Sequence, residues 1–254
     1  MSRRYKLTAN EWNRIKDYLP PERSDQKGRP RKDNRMMVNG ILWILRTGCQ
    51  WSELLESYGS WQSVYARFRK WQKDGIFEKI FRELNLDADI EYICMDSTAV
   101  KVHESANGGF KKGESKDVGH TKCGLNTKIH ALTDALGNPL EFLITSGNVH
   151  DSKVAVELLS RLDLSDSNVL ADKAYGTNQI LDYIQKSDGE YTIPPKSNTI
   201  RPWFCDWHIY KNRHVIECFF QKLKWFRRVA TRYDKLDDVF LAIVFLASIH
   251  ILLK

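Results

Sequence analysis

Paired cysteines are missing from this chain. Its five cysteines, Cys49, Cys94, Cys123, Cys205 and Cys218, are odd in number, and none stands at C-x-x-C spacing. That argues against a disulfide scaffold and a zinc site, and for a reducing compartment. Long apolar runs are missing too. Met1-Ser-Arg-Arg-Tyr-Lys has no apolar stretch behind it, so no secretory signal is expected. The most apolar segment, Val239 to Ile249, is too short to span a bilayer and is bracketed by Asp237, Asp238 and His250. It reads as a buried core helix, and no membrane partner is expected. No internal repeat or low-complexity tract stands out.

What is present is ordinary globular composition. The 254 residues are 42% hydrophobic and 28% charged, enough for one large domain or two small ones. The net charge of +7 favours an anionic partner, but a basic protein without such a partner carries the same charge. Position along the chain has to decide.

Residues 1–85 read as all-helical. Thr8 caps a helix through Trp12, Ile15 and Leu19, with Glu11 completing a capping box and Pro20-Pro21 stopping it. A basic stretch from Arg23 to Arg35 follows, broken by Gly28 and Pro30. Further helices are predicted over Met36–Arg46, ended by Gly48, and over Trp51–Tyr58, ended by Gly59. Ser60 then caps a helix with Trp61, Val64, Tyr65, Phe68 and Trp71 at helical spacing, and Phe77–Leu84 forms another after Gly75.

Residues 90–254 read as α/β. Strands are predicted at Tyr92–Met95, ending at Asp96, at Asn126–Thr133, Leu140–Thr145 and Tyr191–Ile193, and at Asn168–Ala171, ending at Asp172. Helices are predicted at Asp151–Leu162, Thr177–Lys186, His208–Arg228 and Leu236–Leu253. Residues 104–125 hold five glycines and four lysines without period, which marks either a functional loop or a disordered one.

Three carboxylates stand out. Asp96 and Asp172 close predicted strands, where α/β sheets tend to place catalytic groups. Alternation puts Tyr92, Cys94 and Asp96 on one face of their strand and Ile93 and Met95 on the other. Glu217 sits in the predicted His208–Arg228 helix. At about 100° per residue, Tyr210, Arg213, Lys224 and Arg228 all fall within about 40° of it, while Val215, Phe219, Leu223 and Phe226 point the opposite way. An acid flanked by cations is also what an ordinary solvated helix face looks like. Three carboxylates suit a hard cation such as Mg²⁺, which binds oxygen, and two such ions can activate an attacking oxygen and stabilise the leaving one at phosphorus.

The run from Tyr210 through Arg213 and Glu217 to Lys224 reads Y-x2-R-x3-E-x6-K. It resembles the signature around the catalytic Glu of DDE transposases of the IS-four and IS-five groups. Asp96-Ser-Thr and Asp172-Lys-Ala-Tyr resemble the motifs around their two Asp residues. Thr127-Lys-Ile-His130, Asp134 to Pro139 and Ser146 to Asp151 resemble the stretch between them, and Arg228 to Lys235 the segment after the helix. Trp12, Gly28-Arg-Pro30, Arg35, Arg46 to Trp51, and Trp61 through Trp71 resemble the family's helical DNA-binding region. Only 45 residues separate Asp172 from Glu217, which leaves no room for the inserted β-domain of some relatives and favours the IS-five type. The chain departs from the family in its glycine-rich loop, where Lys111, Lys112, Lys116 and Lys122 replace frequent arginines, and at Thr199.

The resemblance implies an RNase-H-like catalytic domain over residues 90–254, a mixed five-stranded sheet with flanking helices. A helix-turn-helix-like DNA-binding region over residues 1–85 would precede it. It implies a catalytic and metal-binding triad of Asp96, Asp172 and Glu217 with two Mg²⁺ or Mn²⁺ ions. Expected DNA contacts are Tyr210, Arg213, Lys224 and Arg228 by the triad, and Arg67, Arg69, Lys70 and Lys73 on the Ser60–Lys73 helix. Implied partners are the ends of an insertion sequence, target DNA and a second copy of the chain, in the cytoplasm at the nucleoid. His130 and His150 belong to the matched motifs but read as structural hydrogen-bonders, with His214 near enough to Arg213 to approach phosphate. Cys94 and Cys218 read as buried apolar fillers. A nuclease on the same fold and a DNA-binding regulator without chemistry are the alternatives.

Overall fold

Thr8 opens the first helix as a reciprocal cap. Its hydroxyl accepts from the Glu11 amide at 3.2 Å, and the Glu11 carboxylate accepts from the Thr8 amide at 2.8 Å. Two donors that a helix start leaves bare are thereby satisfied. The computed structural model describes residues 5–22, 32–107, 117–122 and 124–254. In chain order these include α1 (Ala9–Ile15), α2 (Asn34–Thr47), α3 (Trp61–Lys73), α4 (Ile76–Leu84), β1 (Tyr92–Val102), β2 (Gly119–Thr121), β3 (Gly124–Thr133), β4 (Pro139–Ser146), α5 (Ala155–Leu159), β5 (Asn168–Ala171), α6 (Asn178–Lys186), β6 (Glu190–Thr192), α7 (Trp207–Tyr210), α8 (His214–Lys224), α9 (Arg227–Ala230) and α10 (Asp237–Leu252). Gly28 to Pro30, Cys123, and Lys111, Lys112 and Lys116 lie outside the described residues. No described helix is long and apolar enough to cross a membrane.

The chain packs as two units, Met1–Leu86 with Leu223–Lys254, and Asp87–Lys222. The first unit is helical. Its α10 is apolar around its whole circumference, with Phe240, Ile243, Val244, Ala247 and Ile249 all but inaccessible to solvent. Such a helix must be covered on every side, and α2, α3 and α4 supply the cover, with the Phe81 and Phe245 rings 5.1 Å apart. Residues 223–254 therefore pack with the N-terminal helices, whereas the sequence reading gave all of 90–254 to one domain.

Three expected helices differ locally. Residues 51–58 form two short 3-10 turns, Trp51–Glu53 and Glu56–Tyr58, instead of one α-helix. The expected His208–Arg228 helix is broken into α7, a 3-10 turn at Lys211–Arg213, α8 and α9. The last break falls at Phe226, whose backbone is extended and whose fully buried ring lies under the Arg46 guanidinium at 4.0 Å. Asp151–Leu162 is likewise shortened to a 3-10 turn and α5. Gly48 ends α2 as expected, in the left-handed conformation at φ 73 that favours glycine.

The second unit holds a mixed sheet. Five strands run in the order β4–β3–β1–β5–β6, antiparallel from β4 to β1 and parallel from β1 to β6, and short β2 pairs with the first residues of β3. The resemblance implies a mixed five-stranded sheet; the sheet is mixed as expected, with seven strands in all. The parallel strands require crossovers, which α5 and α6 supply. One face packs Ile93, Met95, Leu132 and Val169 against Leu158, Leu159, Ile180 and Ile184. On the opposite face Phe142 stacks on Phe219 of α8 at 5.9 Å. Ile93 has no solvent exposure. Ile93→Ala should lower stability by about 2–5 kcal/mol in chemical denaturation, since it removes buried methyls and leaves a cavity. A loss below about 1 kcal/mol would place this residue outside a tightly packed core.

Candidate active site at the end of the parallel strands

β1 and β5 lie side by side in parallel, with Met95 opposite Ala171 as their last paired rung. Asp96 and Asp172 are the residues that directly follow this rung, so the two carboxylates emerge from neighbouring strands, whose axes lie about 4.8 Å apart. Asp172 follows the end of β5 as expected. Asp96 does not end its strand, because β1 continues to Val102 on the antiparallel support of β3. Each Asp is steadied through Oδ1 by a backbone amide: Ser97 donates to Asp96 at 2.8 Å and Ala174 to Asp172 at 2.7 Å. Asp96 shares its face with Ala131 and Phe142, the face that α8 covers.

Glu217 lies on α8, with its side chain half exposed. The Arg213 guanidinium connects it to Asp96. One nitrogen donates to Asp96 Oδ2 at 2.9 Å and the other donates to Glu217 Oε1. The same guanidinium lies 5.9 Å from the Tyr210 ring, which meets Trp207 edge-on at 5.5 Å. Burial pushes the Asp96 carboxyl above the usual carboxylate range, and the Asp172 charge adds to this. The Ser97 amide and Arg213 pull in the other direction. Burial alone would lower the Arg213 pKa, but Asp96, Tyr210 and Glu217 together raise it.

The donor chemistry fits a hard divalent cation: carboxylate oxygens, with no soft ligand in play. Cys94 beside Asp96 is buried, and that burial pushes its thiol up to about 12, so no thiolate competes. Among the described residues, no three His, Cys, Asp or Glu side chains close on one point as a metal cluster. The charge between Asp96 and Glu217 is instead that of Arg213.

Residues that the sequence reading did not place at the site support it from the other face of β1. Tyr175, three residues after Asp172, is buried, and its hydroxyl is held neutral by that burial and by the charges of Asp151, Asp96 and Asp172. Asp151 accepts from Lys128 Nζ at 2.8 Å, and Lys128 also donates to the Val149 carbonyl. His130, opposite Ser97 on β3, is buried, bonds Thr145 at 2.8 Å and lies 3.9 Å from Asp151. Tyr175, Lys128 and Asp151 all stood inside motifs already singled out, and only the cross-strand register joins them. His150 is exposed and bonds Ser152.

The expected DNA contacts divide. Lys224 ends α8 with an exposed side chain, and Lys70 and Lys73 are exposed on α3. Arg67 and Arg69 are half-buried, and Arg67 donates to Asn34 Oδ1 at 2.7 Å. Arg228 is a correction. The break at Phe226 takes it off the Glu217 helix, and it is buried between the Trp51 and Tyr233 rings, donating to the Cys49 carbonyl and lying 3.5 Å from Asp234. It is a structural cation. His214 is exposed, with Nδ1 2.9 Å from the Lys211 carbonyl oxygen. Cys94 is buried as expected, but Cys218 is exposed, because it lies on the side of α8 away from Ile216 and Phe219.

Comparison with known proteins bears on what this arrangement is. Residues 7–81 match the family model described as "Putative transposase of IS4/5 family", and residues 87–201 match "Transposase DDE domain". A "Putative transposase for insertion sequence element IS6501" from Brucella ovis is 38% identical over 133 residues, 51% of this chain and 100% of that one. An uncharacterized protein, y4sN, from Sinorhizobium fredii is 32% identical over 102 residues, 40% of this chain and 81% of that one. Among solved structures, the piggyBac transposase synaptic complex with hairpin DNA superposes with a TM-score of 0.53 at 11% identity, covering 93% of this chain and 69% of that one. At that identity the likeness is one of fold.

Burial of His130 holds its pKa down at about 4, against 6.5 for the free side chain. Above about pH 6.5 this has no effect on stability. As the pH falls from 6.5 toward 4, the unfolded chain binds a proton there and the folded chain does not, so stability declines by up to about 3 kcal/mol. His130→Gln should flatten that acid-side decline in unfolding measurements. An equal slope in both proteins would mean that His130 protonates freely in the fold.

Proposed function

Because the chain belongs to the DDE transposases of the IS4/5 family, we propose that Asp96, Asp172 and Glu217 are its catalytic triad, holding two Mg²⁺ or Mn²⁺ ions. The chain is a transposase, an enzyme of phosphoryl transfer on DNA with an RNase-H-like catalytic sheet. The observation that supports the triad is that Asp96 and Asp172 directly follow the last rung of β1 and β5, with Glu217 tied to Asp96 through Arg213.

In this reading the chain binds the terminal inverted repeats of its element, cleaves DNA at their ends and joins those ends to target DNA. The ions supply charge that lowers the barrier at the phosphorus and makes an attacking oxygen nucleophilic. The chain's own residues do the rest. Asp96 and Asp172 hold their carboxylates steady against the Ser97 and Ala174 amides. Glu217 approaches from a separate helix. Arg213 and Tyr210 lie where a DNA backbone passing the carboxylates would meet them, and Lys224 extends the cationic side of α8.

Residues 1–85 are assigned to end recognition, with α3 as the reading helix and Lys70 and Lys73 at its exposed side. Acting on two element ends calls for two catalytic centres or one used twice, so the working form is proposed to be at least a dimer on DNA. The activity is proposed to lie in the cytoplasm at the nucleoid.

Asp96→Asn, Asp172→Asn and Glu217→Gln should each abolish cleavage of an element end while leaving its binding largely intact. Substantial cleavage by any one variant removes that residue from the triad. Lys224→Ala should weaken end binding and flatten the slope of log affinity against log salt by somewhat under one unit, with the metal requirement little changed. An unchanged slope with a raised metal requirement would make Lys224 a support for the helix and not a phosphate contact.

A further inference from the structure

Arg213 occupies an unexpected position for a DNA-binding cation. Its two terminal nitrogens are spent on Asp96 and Glu217, which stand in different elements and are 121 residues apart in the chain. Its side chain is only 17% exposed, less than that of either carboxylate it joins, at 23% and 51%. The guanidinium thus sits inward, between two of the groups proposed as metal ligands. A divalent ion bound by both carboxylates would take the place of this cation in the electrostatic balance, and the two cannot share the position without repulsion.

We infer that Arg213 is an exchangeable counter-ion that keeps the metal position closed in the DNA-free protein and hands it over when a DNA phosphate takes the guanidinium. The inference rests on the triad reading above. Guanidinium forms matched two-point bonds with carboxylate and with phosphate alike, so one side chain serves both states without a change of protonation. Tyr210 lies beside the guanidinium at 5.9 Å, offering an aromatic surface to it. The Lys211–Arg213 segment is a 3-10 turn at the foot of α8, not the middle of a regular helix, so reorienting Arg213 does not require disrupting a helix interior. The consequence is coupling. Metal and DNA each favour release of the same ion pair, so each raises the affinity for the other by the same factor. Before DNA arrives, one of the carboxylate charges is balanced without an ion, and loose hydrolysis is suppressed.

An orienting role for Arg213 predicts the opposite sign. If the guanidinium merely aims Glu217 at the ion, its removal weakens metal binding. If it competes with the ion, its removal strengthens it. The test is Mn²⁺ titration of the DNA-free 254-residue chain, with free Mn²⁺ read by electron paramagnetic resonance and folding checked by circular dichroism. Arg213→Gln should tighten Mn²⁺ by about fivefold, the scale of losing one partly exposed ion pair. Arg213→Lys, which keeps the charge and loses the fork, should fall between that variant and the unaltered chain. Adding a short DNA duplex should tighten Mn²⁺ binding in the unaltered chain more than in Arg213→Gln. Equal or weaker Mn²⁺ binding in DNA-free Arg213→Gln overturns the competition, and an equal effect of DNA in both overturns the hand-over. Adding Glu217→Gln to Arg213→Gln separates the two readings. If that double variant keeps the full Mn²⁺ affinity, the triad assignment itself fails, whatever Arg213 does.

Discussion

Two carboxylates on adjacent strands repel each other, and the rest of the site is arranged around that repulsion. Burial is the larger cause that raises the Asp96 pKa, and the Asp172 charge raises it further. The parallel register of β1 and β5 brings the two carboxylates near each other, since Met95 and Ala171 are paired and the residue after each is an aspartate. Three features answer it. Backbone amides from Ser97 and Ala174 stabilise one oxygen of each carboxylate, Arg213 neutralises Asp96, and Glu217 is kept at a distance on a separate helix. The site is thus built to receive positive charge.

The remainder of the second unit serves that rung. Ile93, Met95 and Val169 anchor the strands into one face of the core, so the aspartates cannot move apart without exposing it. Phe142 against Phe219 sets the distance of α8 from the opposite face, and with it the reach of Arg213 and Glu217. Beneath β1 the Lys128–Asp151 pair, His130 and Tyr175 fill the polar underside. His130 and Tyr175 are kept neutral by burial, so they add no charge to the crowded carboxylates above.

Basic residues in this chain take two different parts. Arg228 and Arg232 lie in the segment that follows α8 and look like a continuation of its cationic stripe. Both are buried. Arg228 is packed against Trp51 and Tyr233, and Arg232 bonds the Asp234 and Lys235 carbonyls and Asp237, closing the start of α10. Lys70, Lys73 and Lys224 are exposed. Charge alone does not separate the two sets. For Lys224 and Arg228, four residues apart, what separates them is the break at Phe226, where α8 has ended and the backbone is extended.

Local chemistry in the sequence was enough to determine a good deal. The Thr8–Glu11 box, the Gly48 stop and the strand β5 all depend on near neighbours, and each is legible in a short window. The three acidic motifs and the family signature were legible for the same reason, since each is a run of a few residues. The tertiary structure decided the rest. It set how far β1 continues past Asp96, because that depends on pairing with β3. It set where α10 belongs, because a helix apolar all round is satisfied by whichever partners cover it. It also decided that Arg213 joins Asp96 to Glu217. Helical spacing alone puts Arg213 one turn from Glu217, but the 2.9 Å bond to Asp96 spans two distant elements, and only the packing of α8 on the sheet creates it.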